Sequence, residues 1–394
     1  MKKFFLIFIS LLLILSLAAC DADQIIGKIR DFNLVEFVNN RTDWDSMADP
    51  EESELGSPYK YYFKLLSNKE KYAYNKILEN LEGMPEEIPV PLLSQDELLT
   101  MYEALLYDNP ELFFLGRKCT ITTKGTKSYF NPEYLMSAEE YEQKRQELDT
   151  VKENILKDMP RGDDFETELF VHDTVIGLCS YSSTGNENEN TVYGALVEGK
   201  AACEGYSKSA KMFLDLAGVE SQVLTGNAKN AQGGYEPHMW NIVKIDGDYY
   251  HLDLTWDDPV TVGKDEDYDP IHAYFNLKDS EIAATHEDFS SLNACIANEA
   301  NFFVRKGLMF DSYDKASKQK IVNLIVRTAD ANRISFEIRF SNKETFEKAI
   351  EKMIKESEIS YLLYDARKLS SNPIPYNPTY RLREEFCIFE LLLS

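Results

Sequence analysis

Long apolar runs are nearly absent from this chain of 394 residues. The one conspicuous run, Phe4–Leu15, is too short to cross a bilayer comfortably. Positive charge is scarce as well. With 42 Lys and Arg against 67 Asp and Glu, the formal net charge is −25. That balance argues against adhesion to nucleic acid or to anionic lipid, and for a soluble surface or a basic partner. Close Cys or His pairs, which anchor most zinc sites, are missing. The acidic loop Gly263–Asp269 lacks the Gly and the terminal Glu of a calcium loop, and reads as a solvated excursion. No internal repeat is evident. No metal and no cofactor is therefore expected. What is plentiful is hydrophobic content: at 44% of the residues it can build two or three cores.

The chemistry concentrates between Lys200 and Pro259, where Cys203-Glu204-Gly205-Tyr206, His238-Met239-Trp240-Asn241 and His251-Leu252-Asp253 follow one another. A thiol, an imidazole and a carboxylate are the parts of a thiolate nucleophile. After Cys203, Tyr206, Ala210, Phe213, Leu214 and Ala217 fall at helical spacing before Gly218. Cys203 then belongs to the first helical turn, where free N–H groups and the dipole favour a thiolate and an oxyanion. Glu204 beside it opposes this unless its side chain points away. The runs His238–Ile245 and Asp248–Thr255 flank Asp246-Gly247, the signature of a two-residue hairpin turn. In that register His238 and Asp253 share a face, one diagonal apart. His251 lies on the same face, so spacing leaves two candidates for the base.

The order Cys-Glu-Gly-Tyr, His-x-Trp-Asn, Asp-x-Thr-Trp-Asp-Asp-Pro resembles the bacterial transglutaminase-like domain, a papain-like fold. The resemblance extends upstream through Val171-His172-Asp173 and Tyr193–Val197, and downstream through Ala273–Asn276 and His286, covering roughly 165–290. It implies Cys203 as nucleophile, His238 as general base and acid, Asp253 as orienter, and His251 as a non-catalytic histidine. Tyr193 is a candidate second oxyanion donor or a packing residue, Trp240 is expected to line the cleft beside His238, and Asn227–Glu236 reads as a loop before the base.

At the N-terminus, Lys2-Lys3, the apolar run and Leu17-Ala18-Ala19-Cys20 describe an export signal. Leu-Ala-Ala-Cys resembles the bacterial lipoprotein box, which implies cleavage before Cys20 and lipid attachment to its sulfur. Of the six cysteines, five then remain, an odd number, so at least one thiol is free unless it pairs between chains. Cys203 is the natural candidate, and pairing among Cys119, Cys179, Cys295 and Cys387 stays open.

The expected organisation is a signal peptide over 1–20, a tether over 21–58, an N-terminal helical domain over 59–160, a catalytic domain over 161–291 and a small α/β domain over 292–394. Capping boxes begin at Ser67, Ser94 and Ser137, and a hairpin turns near Lys124-Gly125. In the last domain the pattern suggests helices around Ile321–Thr328 and Phe346–Ile354, and strands at Ile334–Phe340, Ile359–Tyr364 and Phe386–Leu393. The fold class is α+β, with a helix bearing the Cys packed on an antiparallel sheet. The expected function is an extracytoplasmic, lipid-anchored acyltransferase or hydrolase acting on carboxamide or peptide bonds of proteins or cell-wall peptides through a thioester. The alternative is a non-catalytic surface binding module on the same fold.

Overall fold

Local capping chemistry sets the first described elements. The structure, a computed structural model, describes residues 48–230, 232–258, 269–291 and 293–393. The expected signal peptide, Cys20, most of the tether and the acidic loop at 263–268 lie outside these. The described residues divide into two units. One takes residues up to Ser53 with Leu66–Tyr102 and Lys118–Pro132, and the other takes Glu54–Leu65, Glu103–Arg117 and the chain from Glu133 onward.

In the first unit, Ser67 caps helix α1 (Asn68–Asn80), and Glu70 reciprocates by accepting the Ser67 N–H at 2.8 Å. The buried face carries Tyr74, Ile77 and Leu78. A short strand β1 (Ile88–Val90) follows; Pro89 suits it to an edge. Helix α2 (Gln95–Asp108) starts on the Ser94–Glu97 box. Strands β2 (Leu115–Lys124) and β3 (Lys127–Tyr134) then turn at Gly125, and the sheet order is β1-β3-β2. This sheet adds a strand that the sequence reading lacked. Part of the expected tether is packed: Asp49 pairs with Lys71 at 2.8 Å, and, in the second unit, the buried Ser57 N–H donates to Asn109 at 3.2 Å.

The second unit holds helix α3 (Ala138–Asp158), helix α4 (Asp164–Leu178), strand β4 (Ser180–Tyr181), helix α5 (Val192–Leu196), strand β5 (Lys200–Ala201) and helix α6 (Cys203–Ala217). Tyr206, Ala210, Phe213 and Leu214 are fully buried on α6, which ends on the left-handed Gly218. Strands β6 (Ser221–Lys229), β7 (Tyr235–Ile245) and β8 (Asp248–Leu252) lead into helix α7 (Leu254–Asp257) and strand β9 (Phe275–Leu277). Helix α8 (Asp279–Ile282), strand β10 (His286–Glu287) and helix α9 (Phe302–Arg305) complete this part. The sheet is antiparallel throughout, in the order β10-β6-β7-β8-β9. This is the expected α+β core.

The hairpin has the expected register. Asp246 and Gly247 both take positive φ (54° and 98°), Ile245 pairs with Asp248, and Asn241 pairs with Leu252. Two boundaries differ. β8 stops at Leu252 because the Asp253 side chain caps α7, accepting the N–H groups of Thr255 and Trp256. The loop before His238 is shorter than expected, since ladder pairing continues to Lys229 and resumes at Tyr235.

Beyond the core lie strand β11 (Met309–Phe310), helix α10 (Lys315–Asp330), strand β12 (Ser335–Phe340), helix α11 (Lys343–Ile350), helix α12 (Glu358–Leu369), and strands β13 (Thr379–Arg383) and β14 (Ile388–Leu392). The four strands form one sheet, β11-β12-β14-β13. The expected strand Ile359–Tyr364 is instead the start of α12. Leu362, Leu363 and Ala366 are buried while Tyr361 and Tyr364 face solvent, so helical spacing overrode β-rich composition.

Candidate active site

Helix α6 begins on Cys203. Its N-cap is Ala202, which has no side chain able to occupy the N–H groups of the first turn. Those donors are left for a ligand oxygen. Glycine at 205 is forced: a Cβ there would sit 2.5 Å from the Glu189 carbonyl oxygen and 2.9 Å from Ala201 Cβ. Glu204 does not confront the thiol as an unpaired charge. Burial pushes its carboxyl up, but Lys208 at 2.7 Å and Arg117 outweigh this and hold it below its ordinary value.

The imidazole comes from β7. His238 Nε2 lies 2.8 Å from Asp253 Oδ2, which leaves Nδ1 as the nitrogen available to the Cys203 thiol. Burial disfavours charge on His238. The Asp253 carboxylate and the sulfur more than offset it, raising the imidazole to about 10. Asp253 is wholly buried; burial would raise its carboxyl, and the two histidines facing it pull it well below the usual range.

All four acceptor positions of Asp253 are filled. Oδ1 takes the N–H groups of Thr255 and Trp256 at 3.0 and 3.2 Å, and Oδ2 takes His238 and, at 3.1 Å, His286 Nε2. His286 is buried, with Nδ1 2.9 Å from the Thr285 hydroxyl. The sequence placed His286 within the resemblance without giving it a role. Nothing in its spacing, 33 residues past Asp253, could have supplied one, because β10 reaches the site only by crossing to β6.

The other expected residues sit elsewhere. The Trp240 N–H donates to His251 Nδ1 at 3.0 Å, and His251 Nε2 faces Asp279 at 2.8 Å, so both His251 nitrogens are engaged away from the thiol. Trp240 is fully buried rather than lining an open cleft, its ring stacked 5.9 Å behind His238. Trp256, half-buried, also lies 6.1 Å from His238. Tyr193 is no oxyanion donor: its hydroxyl donates to Glu147 at 2.6 Å. The five described cysteines are all unpaired. Three triads of close donors occur among the described residues: His172–Asp173–His272, His238–Asp253–His286 and His251–Asp279–Cys295.

Comparison with known proteins places this site in a family context. Residues 153–254 match the model of the transglutaminase-like superfamily, a span that takes in Cys203, His238 and Asp253. No curated protein matches. Among solved structures, a TGase is 14% identical over 44% of this chain and 50% of its own, with a TM-score of 0.26. A candidate cysteine protease from Cytophaga hutchinsonii is 9% identical over 35% of this chain and 61% of its own, with a TM-score of 0.23. A candidate protease from Parabacteroides distasonis is 13% identical over 35% and 39%, at 0.18. This chain thus spans half the length of the TGase it matches.

Proposed function

We propose that the chain is a cysteine acyltransferase or hydrolase that opens carboxamide or peptide bonds through a thioester. The observation carrying this is the buried His238–Asp253 pair at 2.8 Å, together with Cys203, which opens helix α6 and acts on the same imidazole. Cys203 gives its thiol proton to His238, Sγ attacks the substrate carbonyl carbon as the C=O π bond opens, and the carbonyl oxygen gains the negative charge in front of the N–H groups of the first turn of α6. As the C–N bond breaks, the His238 imidazolium donates its proton to the departing nitrogen, which leaves as ammonia or an amine. The thioester is then attacked by an incoming amine, giving a new amide, or by water, giving an acid. His238 takes up the nucleophile's proton, and Sγ departs as thiolate with the imidazolium restored.

Protein or peptide substrates, including cell-wall peptides, fit this chemistry. The Leu17–Cys20 box supports an extracytoplasmic, lipid-anchored setting. A membrane-fraction protein should carry the mass of a diacylglyceryl group on Cys20, and Cys20→Ala should release it from the membrane.

Thiol alkylation followed by peptide mapping tests the site. Burial pushes Cys119 and Cys179 up to about 12 and raises Cys295 and Cys387 as well. Iodoacetamide at pH 7 should therefore label Cys203 first and selectively, and Cys203→Ser should abolish turnover of glutamine-containing peptides with either acceptor. Equal, slow labelling of all five thiols would support a binding module instead.

A further inference from the structure

The motif Val171-His172-Asp173 on α4 has no part in the reaction above, yet the fold builds a second ionisable cluster on it. His272, just before β9, meets it from the other side. His172 Nδ1 at 2.8 Å and His272 Nε2 at 3.1 Å approach the same atom, Asp173 Oδ1, and the three lie within 4.8 Å of one another. Each ring is backed at its far nitrogen by a further carboxylate. His172 Nε2 is 3.1 Å from Asp257 Oδ2, and His272 Nδ1 is 3.4 Å from Glu337 Oε2.

Hydrogen accounting makes this informative. Both nitrogens of each ring face a carboxylate; where the far nitrogens carry the hydrogens, toward Asp257 and Glu337, the near nitrogens of neutral rings present lone pairs to Asp173. Two lone pairs and an anionic oxygen then converge on one small volume. Positive charge has to fill it, either as two extra protons or as one cation. A carboxylate behind each ligating imidazole is the arrangement that fixes tautomer and ring orientation in metal sites. The rings are also held by packing: His272 stacks on Phe302 at 3.8 Å, and His172 meets Phe275 edge-on at 5.1 Å. His172 is fully buried, whereas the Asp173 side chain is 43% exposed, so the cluster meets solvent on the Asp173 side.

We propose that His172, Asp173 and His272 bind one divalent transition-metal ion of the zinc or cobalt type, with water completing the coordination. Two imidazoles and one carboxylate suit these ions, whereas calcium and magnesium prefer oxygen alone. Tetrahedral ligands at about 2.0–2.2 Å stand roughly 3.3 Å apart, so the two contacts to Asp173 need to open by only a few tenths of an ångström. The ligands come from α4 and the segment before β9, and the backing carboxylates from α7 and β12. The ion would thereby fix α7, the helix capped by Asp253, to the C-terminal sheet. The site stands whether or not Cys203 is a nucleophile.

Metal-stripped protein titrated with Co2+ tests this through visible d–d absorption and competition by Zn2+. One equivalent should bind. Asp173→Asn should weaken it at least about tenfold and His272→Ala should abolish it, while Cys295→Ser and His238→Gln, in the two other donor clusters, should leave it unchanged. Should either ligand variant fail to fold, side-chain 15N spectra of the wild-type protein with Zn2+ locate the ion among the five histidines. Shifts at His172 and His272 support the site. Absence of saturable uptake at millimolar metal, or shifts confined to His238, His251 and His286, would overturn it.

Discussion

His286 approaches within 3.1 Å of Asp253 Oδ2, the very oxygen that holds His238. His286 touches neither thiol nor substrate in the proposed reaction, so it acts by positioning Asp253. Removing a hydrogen bond to a buried charge costs on the order of 1.5–3 kcal/mol. His286→Ala should lower kcat/KM by about 10- to 100-fold with KM little changed. A merely structural loss would change the amount of active protein, counted by Cys203 labelling, and leave kcat per labelled site intact.

In the proposed reaction Asp253 also sets where turnover should fail at high pH. The leaving nitrogen needs a proton from His238, whose imidazolium persists to about 10 because Asp253 and the sulfur outweigh burial. The alkaline limb of kcat/KM for the free enzyme should therefore fall near 10, and Asp253→Asn should move it down, since a raising charge is gone. Stability follows with a worked sign. A raised histidine stabilises fully below its unfolded value of about 6.5, and that contribution is lost as pH climbs to the folded value. Melting temperature should thus decline between about pH 6.5 and 10, less steeply in His238→Gln. The depressed Asp253 contributes above about pH 3.9 and loses its effect only in stronger acid.

Local chemistry explains which features were legible in the sequence. Asp246-Gly247 dictates a turn with two positive φ values, and from it the register that puts His238 beside Asp253 follows by counting. Helix α6 runs from Cys203 to Ala217 and stops at Gly218, as the spacing after the thiol says. What could not be read depends on distant segments meeting. His286 arrives through β10, Glu337 reaches His272 across 65 residues, and Arg117 finds Glu204 across 87. Trp240 falls in the expected strand, but its N–H turns to His251, and the Tyr193 hydroxyl turns to Glu147. Residue type does not reveal the direction of a side chain.

His251 separates stability from chemistry. It accepts the Trp240 N–H at 3.0 Å in a site with no exposure, so His251→Ala strands a buried donor at a cost of about 1–3 kcal/mol. A lower melting temperature with kcat retained within about threefold, after correction for folded fraction, is the expected result. Turnover collapsing in a folded His251→Ala protein, with His238→Ala remaining active, would reverse the assignment of the base.

Arg117 tests whether the charge next to the nucleophile is managed. Its guanidinium is about half exposed, whereas the Glu204 carboxylate it pairs with is 6% exposed and adjacent in sequence to Cys203. Lys208 alone would then have to balance a buried anion near the sulfur. A negative charge there opposes thiolate formation and also competes with the oxyanion for the N–H groups of α6. Arg117→Ala should slow Cys203 alkylation at pH 7 by several-fold, on the order of 1 kcal/mol for a partly screened charge. The double variant with Glu204→Gln should recover the rate, because it removes the anion that Arg117 neutralises. Recovery identifies electrostatics as the cause, whereas a rate that stays low in the double variant would mean that Arg117 acts by packing on the helix.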